Sequence, residues 1–86
     1  MRVKVDEVGA GVHPNEVVVS IPTDTGVEKL VVHKRALVNG TLEIGYPISE
    51  DSSKYLVELP RETMSGLWRV WVERERVTLR PAKQTA

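Results

Sequence analysis

Trp68 and Trp71 are the only tryptophans of the chain. They stand three residues apart in GLWRVWVERERV (66–77), with Arg69 between them and Arg74 and Arg76 just beyond. Indole rings beside guanidinium groups serve recognition rather than bond-making: Trp, Tyr and Arg dominate binding hot spots. In a basic groove the same side chains stack on bases and meet phosphates. What they do here depends on whether the two rings face the same way. Residues 68 and 71 share a face on a helix and take opposite faces on a strand, and Val70, Val72, Val77 and Thr78 favour the strand. The extended chain places Trp68 with Val70 and Val72 in the core and leaves Trp71 beside Arg69 outside. An indole there, worth about 150–250 Å² of buried surface, needs a cover. Either residues 60–66 with Met64 fold over it, or a binding partner does. Trp71, Arg69 and Tyr46 are the expected interface residues.

Other reactive groups are sparse. GAGV (9–12) lacks the third glycine of a dinucleotide fingerprint, and no phosphate loop is present. His13 precedes a proline and His33 adjoins Lys34 and Arg35, positions that suit surface histidines better than catalytic bases. No Ser–His–Asp set assembles, and the pairs Asp6-Glu7 and Glu50-Asp51 lack the spacing of a calcium loop. The absence of Cys, with only two His, excludes thiolate and His-rich metal sites. The expectation is no enzyme, no metal and no cofactor. A ligand pocket between subunits, lined by Tyr46, Trp68 or His33, is a lesser alternative.

At 86 residues the chain makes one domain. A chain of this size buries only about 60% of its unfolded surface, so it gains from a staple. With disulfides and metals excluded, self-association is the expected one, a dimer being favoured. Hydrophobic content of 41% and charged content of 28% fit a globular domain. No apolar run approaches the roughly 20 residues of a membrane span, and the N-terminus lacks a signal-peptide core, so no membrane partner and a cytoplasmic location are expected. Net charge is zero but uneven: residues 1–60 carry six Lys/Arg against nine Asp/Glu, and residues 61–86 six against three. The basic C-terminal third, with Lys34, Arg35, Arg69, Arg74 and Arg76, supports a nucleic-acid-binding alternative.

The elements that position these residues are strands. Alternation of period two runs through 2–8, 16–21 (Val17, Val19, Ile21 on one face), 27–32, 41–48 (Leu42, Ile44, Tyr46, Ile48) and 54–60 (Tyr55, Val57, Leu59). TDTG (23–26) is a hairpin connection, and Asn39-Gly40 predicts a type I′ turn pairing Val38 with Thr41 and Leu37 with Leu42. Past Trp71 the apolar and charged faces exchange, which predicts a bulge near 73–76 in preference to a tight turn at Arg74-Glu75. No internal repeat of 20–50 residues is legible. The fold class predicted is all-β: a small antiparallel barrel (SH3-like or OB-like) or compact sandwich of about six or seven short strands with at most one short helical turn. It spans residues 1–81, with 82–86 a frayed tail.

YLVELPRET (54–62) followed by RVWVERERVTLRP (69–81) resembles the cadence of the swapped-hairpin DNA-binding domains of the AbrB and MazE type. There a strand ends in Pro-Arg/Lys-Glu and a later hairpin closes on an apolar–Leu–x–Pro. The amphipathic helix expected between those parts is replaced by TMSGLW. The resemblance covers about residues 54–81 and implies a dimeric DNA binder with Arg61, Arg69, Arg74 and Arg76 on phosphates. The main expectation stands beside it: a non-enzymatic module for protein–protein interaction, self-associating through an outer aromatic and arginine surface.

Overall fold

The computed structural model describes residues 1–45 and 47–78. The chain is all-β. Its strands are β1 (Arg2–Lys4), β2 (Asp6–Ala10), β3 (Glu16–Thr23), β4 (Gly26–His33), β5 (Leu37–Val38), β6 (Thr41–Glu43), β7 (Ser49–Glu50), β8 (Lys54–Glu58), β9 (Arg69–Glu73) and β10 (Val77–Thr78). Single 3-10 turns, Lys34–Ala36 and Arg74–Arg76, precede β5 and β10. The strands form three antiparallel sheets, ordered β2-β3-β4, β7-β8-β9 and β10-β1-β6-β5. No helix among the described residues is long and apolar enough to cross a membrane.

These sheets do not close into the expected barrel. Each 3-10 turn interrupts the ladder where the chain leaves a hairpin for the four-stranded sheet, so hairpins and central sheet stay separate ladders. More and shorter strands result than the pattern predicts. The stretch 41–48 forms ladder only at Thr41–Glu43, and Tyr46 lies outside the described residues, as does the tail from residue 79. One core serves all three sheets: Val3, Val19, Ile21, Leu30, Leu42, Val57 and Val72 are its fully buried members. Each lies on the inward parity of its strand, the alternation that a sheet with one wet face requires.

A correspondence that the sequence does not display is visible in the pairing. The chain is built twice, its halves meeting across a local two-fold between Val3 and Leu42 at the centre of the four-stranded sheet. Val3 pairs with Leu42 and Val77, and Leu42 with Val3 and Leu37; Arg2 pairs with Thr78 as Thr41 pairs with Val38. The hairpins follow in register: Val17↔Val32 and Val19↔Leu30 in the first, Tyr55↔Val72 and Val57↔Val70 in the second. The next rung, Ile21↔Glu28, is matched by a bond from the Leu59 N–H to the Trp68 carbonyl. Both 3-10 turns are entered at nearly the same angles, φ −70°, ψ 140° at His33 and φ −66°, ψ 142° at Glu73. The first turn is anchored by the Lys34 N–H on the Asn15 carbonyl (2.7 Å), the second by the Arg74 N–H on the Ser53 carbonyl (3.1 Å). The tip of each hairpin also caps the exposed edge of the other. The Met64 N–H donates to the Lys29 carbonyl on β4 (2.7 Å), and the Asp24 N–H to the Trp71 carbonyl on β9 (3.2 Å). Capped edges offer fewer free groups to a foreign strand.

Candidate interaction surface

The second 3-10 turn replaces the expected bulge, and it exchanges the faces of the tryptophan segment. Before it, Val70 and Val72 of β9 are buried while Arg69 and Glu73 are exposed. After it, Val77 returns to the edge of the core. Trp71 sits on the outer face opposite Leu56 and is partly buried. The tip of the first hairpin abuts it through the Asp24 bond. Residues 60–66, one of the two expected covers, dock on β4 through Met64 and Ser65.

Trp68 overturns its expected place in the core. It keeps the inward parity of Val70 and Val72, yet it is 50% exposed. The hairpin is longer than the core beneath it. Leu59, its partner across the ladder, is the last buried residue of that arm, and the rung beyond β9 overhangs the rim. The matching rung of the first hairpin shows the same geometry with a residue suited to it. Glu28 is only partly buried there, and its carboxylate accepts from the Ser65 hydroxyl at 2.6 Å.

Trp68 opens onto a groove of about 400 Å³ whose other walls are Val31, Met64 and residues 61–63. Met64 is 63% exposed, and Leu67 in the same loop is exposed as well. The loop that presents them is held tightly. Thr63 is buried, its N–H donates to the Leu67 carbonyl (2.8 Å), and its hydroxyl accepts from the Leu67 N–H (3.1 Å). Gly66 takes φ +95°, a conformation costly for other residues, and its N–H donates to the Thr63 carbonyl (2.9 Å). Sequence reasoning sees Met64 only as a cover for Trp71. The signal it lacks is the equivalence of Trp68 with Glu28.

The basic residues divide into free and committed. Lys34 and Arg35 are exposed on the first 3-10 turn, and the Arg35 N–H donates to His33 Nδ1 (3.3 Å). Arg74 is spent inside the second half. Its guanidinium lies 4.5 Å from the centroid of the Tyr55 ring, and Nε donates to the Asp51 carbonyl (2.9 Å). Nη1 donates to the Tyr55 hydroxyl (3.1 Å), and Nη2 pairs with Glu50 (2.9 Å). Arg76 donates to the Lys4 carbonyl (3.2 Å) and lies 3.8 Å from Asp6, with its Nε buried and unpaired. Arg61 is 3.9 Å from Glu16. The Asp51 carboxylate accepts the N–H groups of Ser53 (2.9 Å) and Lys54 (2.7 Å), which hold its pKa below the usual carboxylate value. Among the described residues no three His, Asp or Glu side chains gather as a metal site would require.

The AbrB and MazE resemblance gains no support from comparison with known proteins. No family model matches the chain, and neither does any curated protein or solved structure.

Proposed function

We propose that this domain is a non-catalytic interaction module that self-associates through the groove of Trp68, Met64 and Val31. The observation that carries this is the half-exposed Trp68 lining one groove with the exposed Met64, on a loop closed by the hydrogen bonds of Thr63. Scattered apolar residues need no explanation, but a contiguous apolar patch with a polar rim marks a binding surface. Arg61 and Glu62 supply that rim. A two-fold contact sets each surface against its own copy, so adjacent charges of opposite sign are self-complementary. Trp71 and Arg69 stand on the other, outer face of β9 and do not line this groove. The nucleic-acid alternative is weaker. With Arg74 and Arg76 turned inward, Lys34, Arg35 and Arg69 remain, and three phosphate contacts give a salt slope of only about −2.7 on a duplex.

Sedimentation velocity on the wild type and on Trp68→Glu tests the proposal. Glutamate at position 68 copies Glu28, so the fold has already accepted a carboxylate at this rung. Followed up to about 1 mM, the measurement detects association as weak as about −4 kcal/mol. The wild type should pass from monomer to dimer, and the variant should stay a folded monomer that loses no more than the about 1–2 kcal/mol set by the half-buried indole. A wild type that remains a monomer throughout, or a variant that dimerises equally well, refutes the proposal.

A further inference from the structure

Where two halves share a register, one half shows what fits the space that the other leaves open. In the second half the exit of the hairpin is filled from within: the Tyr55 ring is buried, Arg74 lies over it, and Glu50 neutralises Arg74. The ladder names the counterparts. Tyr55 pairs with Val72 as Val17 pairs with Val32, and Glu50 pairs with Tyr55 as Ala10 pairs with Val17. The Asp51 N–H bonds the Lys54 carbonyl as the Gly11 N–H bonds the Glu16 carbonyl. Lys34 takes the place of Arg74. The first half therefore keeps the cation, but it replaces the ring by Val17 and the carboxylate by Ala10.

The space is open accordingly. Two adjoining clefts of about 480 and 430 Å³ share Glu7, Val17 and Lys34; one continues to Gly11, the other to Leu37. Both fall in the range of small-ligand sites, about 300–1,000 Å³. No carboxylate of the described residues lies within 4.0 Å of the Lys34 ammonium. Glu16, on the wall, is directed to the His13 N–H and toward Arg61.

We propose that this cleft binds a small aromatic monocarboxylate. The ring takes the place that Tyr55 fills in the other half, against Val17 and Leu37 and beneath Lys34, where a cation over a ring face is favourable. The carboxylate supplies Lys34 with what Glu50 gives Arg74. Glu7 at the rim repels a dianion about twice as strongly as a monoanion, so a single carboxylate is favoured over a phosphate.

The test is a ¹⁵N-HSQC titration of the full chain with 4-hydroxyphenylacetate, a phenol bearing one carboxylate. Saturable shifts at Gly11, Val17 and Lys34 are expected in the millimolar range, about 1–5 mM for a ligand of this size. Lys34→Ala should weaken binding about tenfold, having lost the charge-assisted bond. Tyramine, the same ring with an ammonium, should shift none of these amides. The double variant Ala10→Glu, Val17→Tyr installs the second half's filling and should abolish binding. Absence of shifts at about tenfold above that range, an equal response to tyramine, or wild-type affinity in Lys34→Ala overturns the proposal. Lys34 is exposed and outside the core, so that variant decides the matter even if the double variant does not fold.

Discussion

Removing the Arg74 side chain measures how far the two halves have diverged, because Lys34 stands at the same place with none of its partners. The Arg74 side chain is 37% and Glu50 60% exposed, so their ion pair is screened and contributes only about 0.2–0.5 kcal/mol. The guanidinium over Tyr55 adds about 0.5–1 kcal/mol. The bond to the Asp51 carbonyl, charge-assisted but partly wet, adds about 1 kcal/mol. Arg74→Ala should therefore destabilise by about 2 kcal/mol, while Lys34→Ala stays within about 0.5 kcal/mol, the range of unremarkable surface changes. An 86-residue domain holds roughly 4–13 kcal/mol in all, so the first loss is large. Urea unfolding followed by tryptophan fluorescence reads both. With a slope of about 1–2 kcal/mol per molar, the Arg74→Ala midpoint falls by about 1–2 M. Arg74→Lys should lie between, since it keeps the charge and loses the fork. Equal midpoints for Arg74→Ala and Lys34→Ala would refute the assignment of Arg74 to the interior, and its removal from the phosphate-binding candidates with it.

Three further outcomes follow from the geometry. Trp71→Ala should cost about 3 kcal/mol and Trp68→Ala about 1–2 kcal/mol, in proportion to the surface each buries; a larger loss at Trp68 in the same urea experiment would restore it to the core. Gly11→Ala should cost about 1–3 kcal/mol by overpacking. A Cβ there would stand 2.5 Å from Glu16 Cβ and 2.9 Å from its carbonyl carbon, whereas Gly9 has open space and should tolerate Ala with an unchanged midpoint. Asp51 should titrate below its ordinary value of 3.8, because the Ser53 and Lys54 N–H groups favour the carboxylate. A depressed folded pKa contributes stability that is present above the unfolded value and lost as pH falls through the folded one. An NMR titration of the Asp51 carboxyl carbon checks this, a midpoint at or above 3.8 excluding it, and Asp51→Asn should flatten acid unfolding in that window.

Some of this architecture is written locally and some is not. Asn39-Gly40 is legible because left-handed backbone is a property of those two residues: they take φ 53° and 78°, and Leu37↔Leu42 and Val38↔Thr41 pair as the turn type dictates. The inward faces of β3 and β8 are legible for the same kind of reason, alternation against one core. The turn at 74–76 is not, since RER carries no turn-forming residue; a bond from the Arg74 N–H to Ser53, remote in sequence, fixes it. Parity places Trp68 inward, but its burial depends on where the core ends, and nothing in residues 66–72 records that. The duplication is concealed because apolar residues exchanged within their class. Val19 with Val57, Pro22 with Pro60, Gly26 with Gly66 and Val32 with Val72 are conserved between the hairpin units, but Ile21 meets Leu59, Leu30 meets Val70 and Val17 meets Tyr55. The connection TDTG against RETMSG also shifts the spacing midway. Register survives where identity does not, and register is visible only once the strands pair.

A duplicated frame presents each surface feature twice unless side chains break the symmetry, so the places where the halves differ are where the chain acquires individuality. Two such differences stand out on opposite halves. The rung beyond the core carries Trp68 in one hairpin and Glu28 in the other. The exit of the hairpin is filled by Tyr55 and Arg74 in one half, and beside Val17 and Lys34 it is open in the other. The Trp68 groove and the Lys34 clefts share no lining residue. Among the described residues, the one ion pair that links them is Arg61–Glu16 at 3.9 Å, between the rim of the groove and the wall of the clefts. A pair so long and partly exposed couples little, so the two sites should behave additively. Trp68→Glu should thus abolish self-association and leave the response to 4-hydroxyphenylacetate unchanged, and Lys34→Ala should do the reverse. Loss of both properties in either variant would mean that the two surfaces communicate through the central sheet, and the division of labour between the halves would be wrong.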